Sequence, residues 1–167
     1  GLIKFENGEV LIDEIKSEIF ENPEWFKNLS YLSQNIFVFE GSLEENIIFY
    51  NQSNNKNKEN LIKAIKLANL EKIGGKNLDL NQNLGHSAKK ISGGEKQRIG
   101  IARALYFKKP FLIMDEATNA LDESTELKIM SAIKTLTEIT ILIISHKKNT
   151  LQFCDQIYEI QDGKLKK

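Results

Sequence analysis

This chain of 167 residues has only one cysteine, no excess of either charge and no long apolar run. Its single cysteine, Cys154, excludes an internal disulfide, and no Cys/His spacing is typical of zinc, so we expect a buried thiol in a reducing compartment. The 23 basic residues balance the 23 acidic ones, which argues against a nucleic-acid partner because binding phosphates requires a basic excess. Apolar runs such as residues 141–144 fall far short of the ~20 residues that cross a bilayer.

Short apolar segments alternate with helical patterns in the second half of the chain. Residues 111–114 and 139–145 are predicted to be strands, and residues 92–107 and 123–136 are predicted to be helices. A third strand is expected at residues 156–160, before an Asp-Gly turn. This alternation predicts an α/β fold with a parallel sheet that is covered on both faces.

The first half is less regular. Strands are predicted at residues 9–12 and 29–33, and helices at residues 43–50 and 61–70, with a polar surface loop at residues 51–60. Residues 35–90 therefore look like a mostly helical insertion into an α/β core. That core is formed by residues 1–34 and 91–167.

The strongest motif, ISGGEKQRIGIARAL, opens the helix predicted at residue 92. Gly93 and Gly94 allow backbone N–H groups to approach an anion closely, and the helix N-terminus favours negative charge. Ser92 can add its hydroxyl. Ser92 and Glu95 also fit the S-x-x-E pattern of a capping box, and both interpretations hold together. A cap alone would not require the paired glycines.

A second motif, FLIMDEATNALDE, places Asp115 and Glu116 directly after an apolar strand. The carboxyl ends of strands are where α/β folds bind their ligands. Of two carboxylates in this position, one suits Mg²⁺ and the other can accept a proton from a water nucleophile. The alternative is that this acidic pair only caps the next helix.

The first motif resembles the signature of ATP-binding cassette (ABC) ATPases, usually written LSGGQ. The resemblance implies that Ser92, Gly93, Gly94 and Glu95 contact the γ-phosphate of ATP held by a second cassette. Glu95 replaces the usual Gln, so its carboxylate is expected to cap the helix in preference to touching nucleotide.

The second motif resembles Walker B followed by the D-loop, usually SALD. The resemblance implies that Asp115 holds magnesium, that Glu116 is the general base and that Asp122 lies at a dimer interface. Asn119 stands where the family usually has Ser.

Two further residues gain a role through the same resemblance. His146, after ILIIS, resembles the switch histidine that contacts the γ-phosphate, although a lone histidine is usually structural. Gln34, at the end of YLSQ, resembles the Q-loop glutamine that contacts magnesium and its water. The continuation FVFEGSLEENI resembles the LFxGSIxENI stretch of exporters, whereas His86 stands where exporters carry Glu.

The phosphate-binding P-loop, G-x-x-x-x-G-K-[ST], is missing from these residues. The triplet Gly74-Gly75-Lys76 does not qualify, because it lacks the earlier glycine and is followed by Asn77. The opening GLIKFENGEVLID resembles the stretch that directly follows the P-loop helix, so we interpret the chain as an N-terminally truncated cassette. The P-loop normally holds the β- and γ-phosphates, and we expect these residues alone to bind ATP poorly.

The resemblance implies a P-loop-NTPase-like ABC ATPase core of α/β class with an inserted helical subdomain. Two cassettes, as a homo- or heterodimer, would enclose ATP and Mg²⁺. The Q-loop and helical subdomain would contact a transmembrane domain at the cytoplasmic face of the cell membrane and couple hydrolysis to export. The alternatives are a soluble ABC ATPase of the translation type and a non-catalytic regulatory cassette. A DNA-repair type is disfavoured because residues 35–90 show no sustained heptads.

Overall fold

The computed structural model describes residues 6–16, 23–49, 57–73, 76–84 and 91–166. Its strands, in chain order, are β1 (Leu11–Ile12), β2 (Ile15–Lys16), β3 (Leu29–Leu32), β4 (Lys72–Ile73), β5 (Lys76–Asn77), β6 (Phe111–Asp115), β7 (Thr140–Ile144), β8 (Glu159–Gln161) and β9 (Lys164–Lys166). Its helices are α1 (Pro23–Lys27), α2 (Leu43–Ile48), α3 (Lys58–Leu67), α4 (Gly93–Tyr106), α5 (Glu123–Lys134) and α6 (Lys148–Leu151). Within these ranges, no helix combines the length and the apolar character needed to cross a bilayer.

A three-stranded parallel sheet lies at the centre, with β6 between β3 and β7. Its register pairs Leu32 with Met114 and Asp115 with Ile144. All three strands therefore end at one edge, and the residues that follow them meet there. The strands predicted at residues 29–33, 111–114 and 139–145 are confirmed.

The two faces of this sheet differ in burial. One face carries Leu32 and Met114, which are almost fully buried, and α4 packs on β3 at this face. Gly100 permits this close packing, since a Cβ there would lie 2.9 Å from Leu32 Cδ1. The opposite face carries Leu142 and Ile144, which are 48% and 49% exposed. Among the described residues this second face is covered only in part: α1 contacts β3, and the Trp25 and Phe111 ring centroids are 5.6 Å apart.

The third strand predicted for the sheet pairs elsewhere. The strand β8 forms an antiparallel hairpin with β9, separate from the parallel sheet. The predicted turn between them is confirmed: Asp162 and Gly163 have φ of 51° and 72°, a conformation that two-residue hairpin turns require. Local pairing across this turn satisfies the backbone of β8 without the central sheet. The strand β1 likewise pairs with β2 across a two-residue turn.

The insertion predicted at residues 35–90 contains α2, α3 and the β4–β5 ribbon among its described residues. Ser42 and Glu45 form a capping box at the start of α2, and Asn57 caps α3. Because of that cap, α3 starts inside the predicted polar loop and three residues before the predicted helix. Both helices pack on α4, and their apolar residues belong to the same core cluster as those of the sheet. The proposed boundaries at residues 34 and 91 stay a prediction.

Candidate active site

Glu116 directly follows β6 and begins the turn that leaves the sheet. Its φ is 48°, in the left-handed region that few non-glycine residues adopt. Its backbone N–H donates to Ile144 O at 2.9 Å, and its carbonyl accepts from the Asn119 N–H at 3.2 Å. These bonds fix the backbone of Glu116 between the end of β7 and the following turn.

Three side chains converge on the Glu116 carboxylate. Gln34 Nε2 and Asn119 Nδ2 donate to Oε2 at 2.9 and 2.8 Å. His146 Nδ1 lies 3.4 Å from Oε1, and its side chain is 69% exposed. Gln34 follows β3 and His146 follows β7, so the parallel sheet brings together three residues that the sequence indicates separately.

Asp115 is the last residue of β6 and lies beside this cluster. Its Oδ2 accepts a hydrogen bond from the Tyr31 hydroxyl at 2.8 Å. That bond, with smaller contributions from desolvation and from the negative charge, raises the pKa of Tyr31 above its ordinary value. Sequence reasoning missed Tyr31, because only the pairing of β3 with β6 shows that the two residues are neighbours.

The oxygen atoms at this edge fit a magnesium ion that arrives with a phosphate ligand. No group of three or more His, Cys, Asp or Glu side chains suited to a metal occurs in the part of the chain that the structure describes. Mg²⁺ usually takes only one or two protein carboxylates, together with substrate phosphates and water. The Asp115 carboxylate and the Gln34 amide supply oxygen atoms at the ends of neighbouring strands, and their role as magnesium ligands stays a prediction.

Ser92 and Glu95 form the capping box that the sequence predicts at the start of α4. Glu95 N donates to Ser92 Oγ at 3.2 Å, and Glu95 Oε2 accepts from the Ser92 N–H at 2.7 Å and from its hydroxyl at 2.9 Å. The capping interpretation is therefore confirmed. Contact between these residues and nucleotide stays a prediction.

The start of α4 packs against the D-loop, residues 119–122, of the same chain. A Cβ on Gly94 would lie 3.0 Å from Ala120 O, so this close approach favours glycine. The nearly buried Gln97 accepts the Ala120 N–H at 2.8 Å through Oε1. The two motifs, which are separated in sequence, thus form one structural unit, and Gln97 is a residue that sequence reasoning passed over.

Asp122 begins α5 and is exposed to solvent. Its Oδ1 accepts hydrogen bonds from Ser124 Oγ at 2.7 Å and from Thr125 N at 3.0 Å. These bonds hold the pKa of Asp122 well below its ordinary value. Within the chain Asp122 is a helix cap, and its place at a dimer interface stays a prediction.

The residue after His146, Lys147, is anchored in a buried polar network. Lys147 Nζ donates to Thr118 O at 2.9 Å and to Glu126 Oε2 at 3.1 Å. Glu126 is almost fully buried and also accepts from the hydroxyls of Thr118 and Thr150. Burial alone would raise the pKa of Glu126, but these hydrogen bonds and the lysine charge lower it. The network holds the chain next to His146 against the turn that follows β6.

Two features that the sequence singles out lie outside the described residues. They are His86, in the loop where exporters carry Glu, and the Gly74-Gly75 pair. Their part in the site stays a prediction.

A parallel sheet with an acidic pair at the end of its central strand, and a glycine-opened helix beside it, defines the class of α/β domains whose ligand site lies at the carboxyl edge of the sheet. The chain belongs to the ABC transporter family, whose family model matches residues 1–119. It is 36% identical over 160 residues to the ATP-dependent lipid A-core flippase 1 of Colwellia psychrerythraea and to the ATP-dependent lipid A-core flippase of Francisella tularensis subsp. tularensis. These matches cover 95% of the chain but 26% of each relative, so the chain spans about a quarter of the length of the curated relatives it matches.

A solved structure has the same fold. The structure of a bacterial Atm1-family ABC exporter with ATP bound superposes with a TM-score of 0.75 and is 28% identical in sequence. The match covers 87% of this chain and 26% of the exporter chain. The expected α/β class, with a parallel sheet flanked by helices, is therefore confirmed.

Proposed function

We propose that the complete protein uses this domain to hydrolyse ATP and thereby drives export of a substrate across a membrane. The observation that carries the proposal is the convergence of Gln34, Asn119 and His146 on the Glu116 carboxylate beside Asp115. Such an arrangement holds a general base next to a magnesium ligand. The exporter direction is supported by the FVFEGSLEENI stretch and by similarity to flippases and to a solved exporter.

In this mechanism Glu116 accepts a proton from the water that attacks the γ-phosphate. Gln34 and Asn119 hold Oε2, so Oε1 is the oxygen presented toward His146 and the water. Asp115 and Gln34 would hold Mg²⁺, which would neutralise charge on the phosphates. His146, whose side chain is largely exposed, would donate a hydrogen bond to the γ-phosphate.

A second cassette is the expected partner. Ser92, Gly93 and Gly94 open the 14-residue helix α4, where backbone N–H groups and the helix dipole favour an anion. In a head-to-tail pair, this loop of one cassette would contact the γ-phosphate bound by the other. Asp122, exposed just after the D-loop turn, would lie at the same interface.

The segment after Gln34 offers an aromatic surface for a transmembrane domain at the cytoplasmic face of the membrane. Phe37 and Phe49 are 69% and 47% exposed. Arg103 of α4 stacks 4.6 Å from the Phe49 ring and donates to the carbonyls of Phe37 and Asn46 at 3.0 and 2.9 Å. These contacts connect the proposed membrane-facing surface to the helix that opens at Ser92.

Phosphate release by the complete protein in proteoliposomes tests the proposed function. We expect ATP hydrolysis that requires Mg²⁺ and stops when EDTA removes it. A folded protein that binds ATP without releasing phosphate would contradict the proposal and favour a non-catalytic regulatory cassette. Activity confined to a ribosome-bound fraction would favour the translation type.

A second expectation concerns the isolated 167 residues. Because they contain no P-loop, they lack the backbone N–H groups and the lysine that grip the β- and γ-phosphates. We expect isothermal titration calorimetry to show ATP affinity weaker than about 1 mM, a range in which the binding free energy is only about −4 kcal/mol. Micromolar affinity would show that another part of the chain grips the nucleotide.

A further inference from the structure

We propose that Asn119 is a positioning residue that orients the general base Glu116 and links it to the start of α4. This inference rests on the proposed hydrolytic function. Asn119 Nδ2 donates to Glu116 Oε2 at 2.8 Å, and the Asn119 backbone N–H donates to Glu116 O at 3.2 Å. One residue therefore fixes both the backbone turn and the carboxylate of the base.

The amide orientation follows from chemistry. With its two ends exchanged, Asn119 would place an oxygen against the Glu116 carboxylate, and the two acceptors would repel each other. In the orientation observed, Asn119 Oδ1 is buried without a hydrogen-bond partner among the described residues. An unpaired buried acceptor is unfavourable, so the bond to Glu116 is the interaction that favours asparagine at this position.

The length of the side chain at position 119 decides whether it can reach the Glu116 carboxylate. A serine hydroxyl, as in the SALD form of the D-loop, ends one bond nearer to the backbone than an asparagine amide. With this backbone, serine would leave the Oε2 of Glu116 held by Gln34 alone. The asparagine thus adds a second donor that fixes which carboxylate oxygen faces the water.

Asn119 also connects the base to α4. The next residue, Ala120, donates its N–H to Gln97 Oε1 at 2.8 Å, and its carbonyl lies against Gly94. A displacement of the start of α4 therefore shifts the backbone beside Asn119. The orientation of Glu116 then depends on the position of α4 in the same chain.

Steady-state hydrolysis by the complete protein carrying Asn119→Ala, Asn119→Asp or Asn119→Ser tests this proposal. We expect kcat to fall roughly 10-fold in each variant, since loss of precise placement reduces catalysis, while KM for ATP stays unchanged. Asn119→Asp keeps the shape, removes the donor and adds a negative charge beside Glu116, whereas Asn119→Ala removes the donor without adding charge. Asn119→Ser introduces the residue usual in the family. A failure of one variant to fold therefore leaves the test intact. Asn149→Ala is the matched control, because Asn149 donates to Glu123 at 2.7 Å on an exposed surface.

A second readout is equilibrium ATP binding in the Glu116→Gln background. If Asn119 acts only through the base, adding Asn119→Ala there leaves the dissociation constant for ATP unchanged. Near-parental kcat in all three single variants, or weaker ATP binding in the double variant, would overturn the proposal. Absence of hydrolysis in the parent protein would contradict the proposed function, and normal turnover in Glu116→Gln would remove Glu116 from the role of base. If the parent is active and Glu116→Gln is inactive while the Asn119 variants are normal, only this inference fails.

Discussion

Replacing Glu116 with glutamine in the complete protein should slow ATP hydrolysis at least about 10²-fold, the usual scale for a general base. Glutamine keeps the shape of the side chain and still offers an oxygen to the Gln34 and Asn119 amides. It cannot take a proton from water at neutral pH. We therefore expect kcat to fall while ATP binding, measured by equilibrium titration, is retained.

Glu123→Gln is the matched control for this substitution. Glu123 is an exposed glutamate that accepts a hydrogen bond from an asparagine, Asn149 at 2.7 Å, as Glu116 does from Asn119. It lies outside the cluster at the carboxyl edge of the sheet, and turnover should be unchanged. Near-normal turnover in Glu116→Gln would remove Glu116 from the role of base.

Replacing Glu126 with alanine should destabilise the folded protein by about 3 kcal/mol, the lower end of the range for breaking a buried ion pair. The Glu126 side chain is 3% exposed, and its loss removes the carboxylate that accepts from the Lys147 ammonium and from two threonine hydroxyls. It leaves the Lys147 ammonium only the Thr118 carbonyl as a partner among the described residues. The Lys147 side chain is 26% exposed, so water can solvate its ammonium in the variant and reduce the loss of stability. Chemical denaturation of parent and variant gives the difference in unfolding free energy.

Glu9→Ala is the surface comparison. Glu9 pairs with Lys16 at 3.5 Å with both side chains more than half exposed, and exposed pairs contribute less than about 1 kcal/mol. Equal destabilisation by the two alanine substitutions would show that the network around Glu126 contributes no more than a surface pair.

The same network predicts a dependence on pH. The pKa of Glu126 lies below its ordinary value of 4.5 in the folded protein. The carboxylate therefore contributes stability above the unfolded pKa, and this contribution is lost as pH falls through the folded pKa. The difference in unfolding free energy between the parent and Glu126→Gln should accordingly shrink in acid. A difference that grows below pH ~4 would contradict the sign.

Asp115 and Glu116 were predictable because they follow an apolar strand, and Ser92 because it opens a helix. By contrast, Gln34 and His146 were indicated only by the resemblance to ABC ATPases. Gln34, Glu116 and His146 come after β3, β6 and β7, and parallel strands gather such residues at one edge whatever the details of the loops. The elements that carry them were found within two residues at each end. The capping box at Ser92 was predictable from spacing alone.

Other contacts depend on geometry that no local pattern records. Tyr31 reaches Asp115 only because β3 pairs in register with β6. Asn119 reaches Glu116 through a turn that begins with a left-handed residue. The apolar pattern at residues 156–160 predicts a strand but not its partner. The turn at Asp162 brings β9 back alongside β8, so that the two strands form a hairpin.

The single core shared by the sheet, α4 and the inserted helices leaves the insertion without an interior of its own. Because α4 packs on α2 and α3 as well as on β3, we expect a displacement of the inserted helices to be transmitted to α4. Arg103 holds the aromatic surface about 15 Å along that helix from Gly93, at 1.5 Å per residue. In the proposed transporter, a displacement of the membrane-facing surface would therefore reach the nucleotide as a shift of α4 along its axis. The N-terminus of α4, whose backbone N–H groups would face the proposed phosphate site, would shift with it.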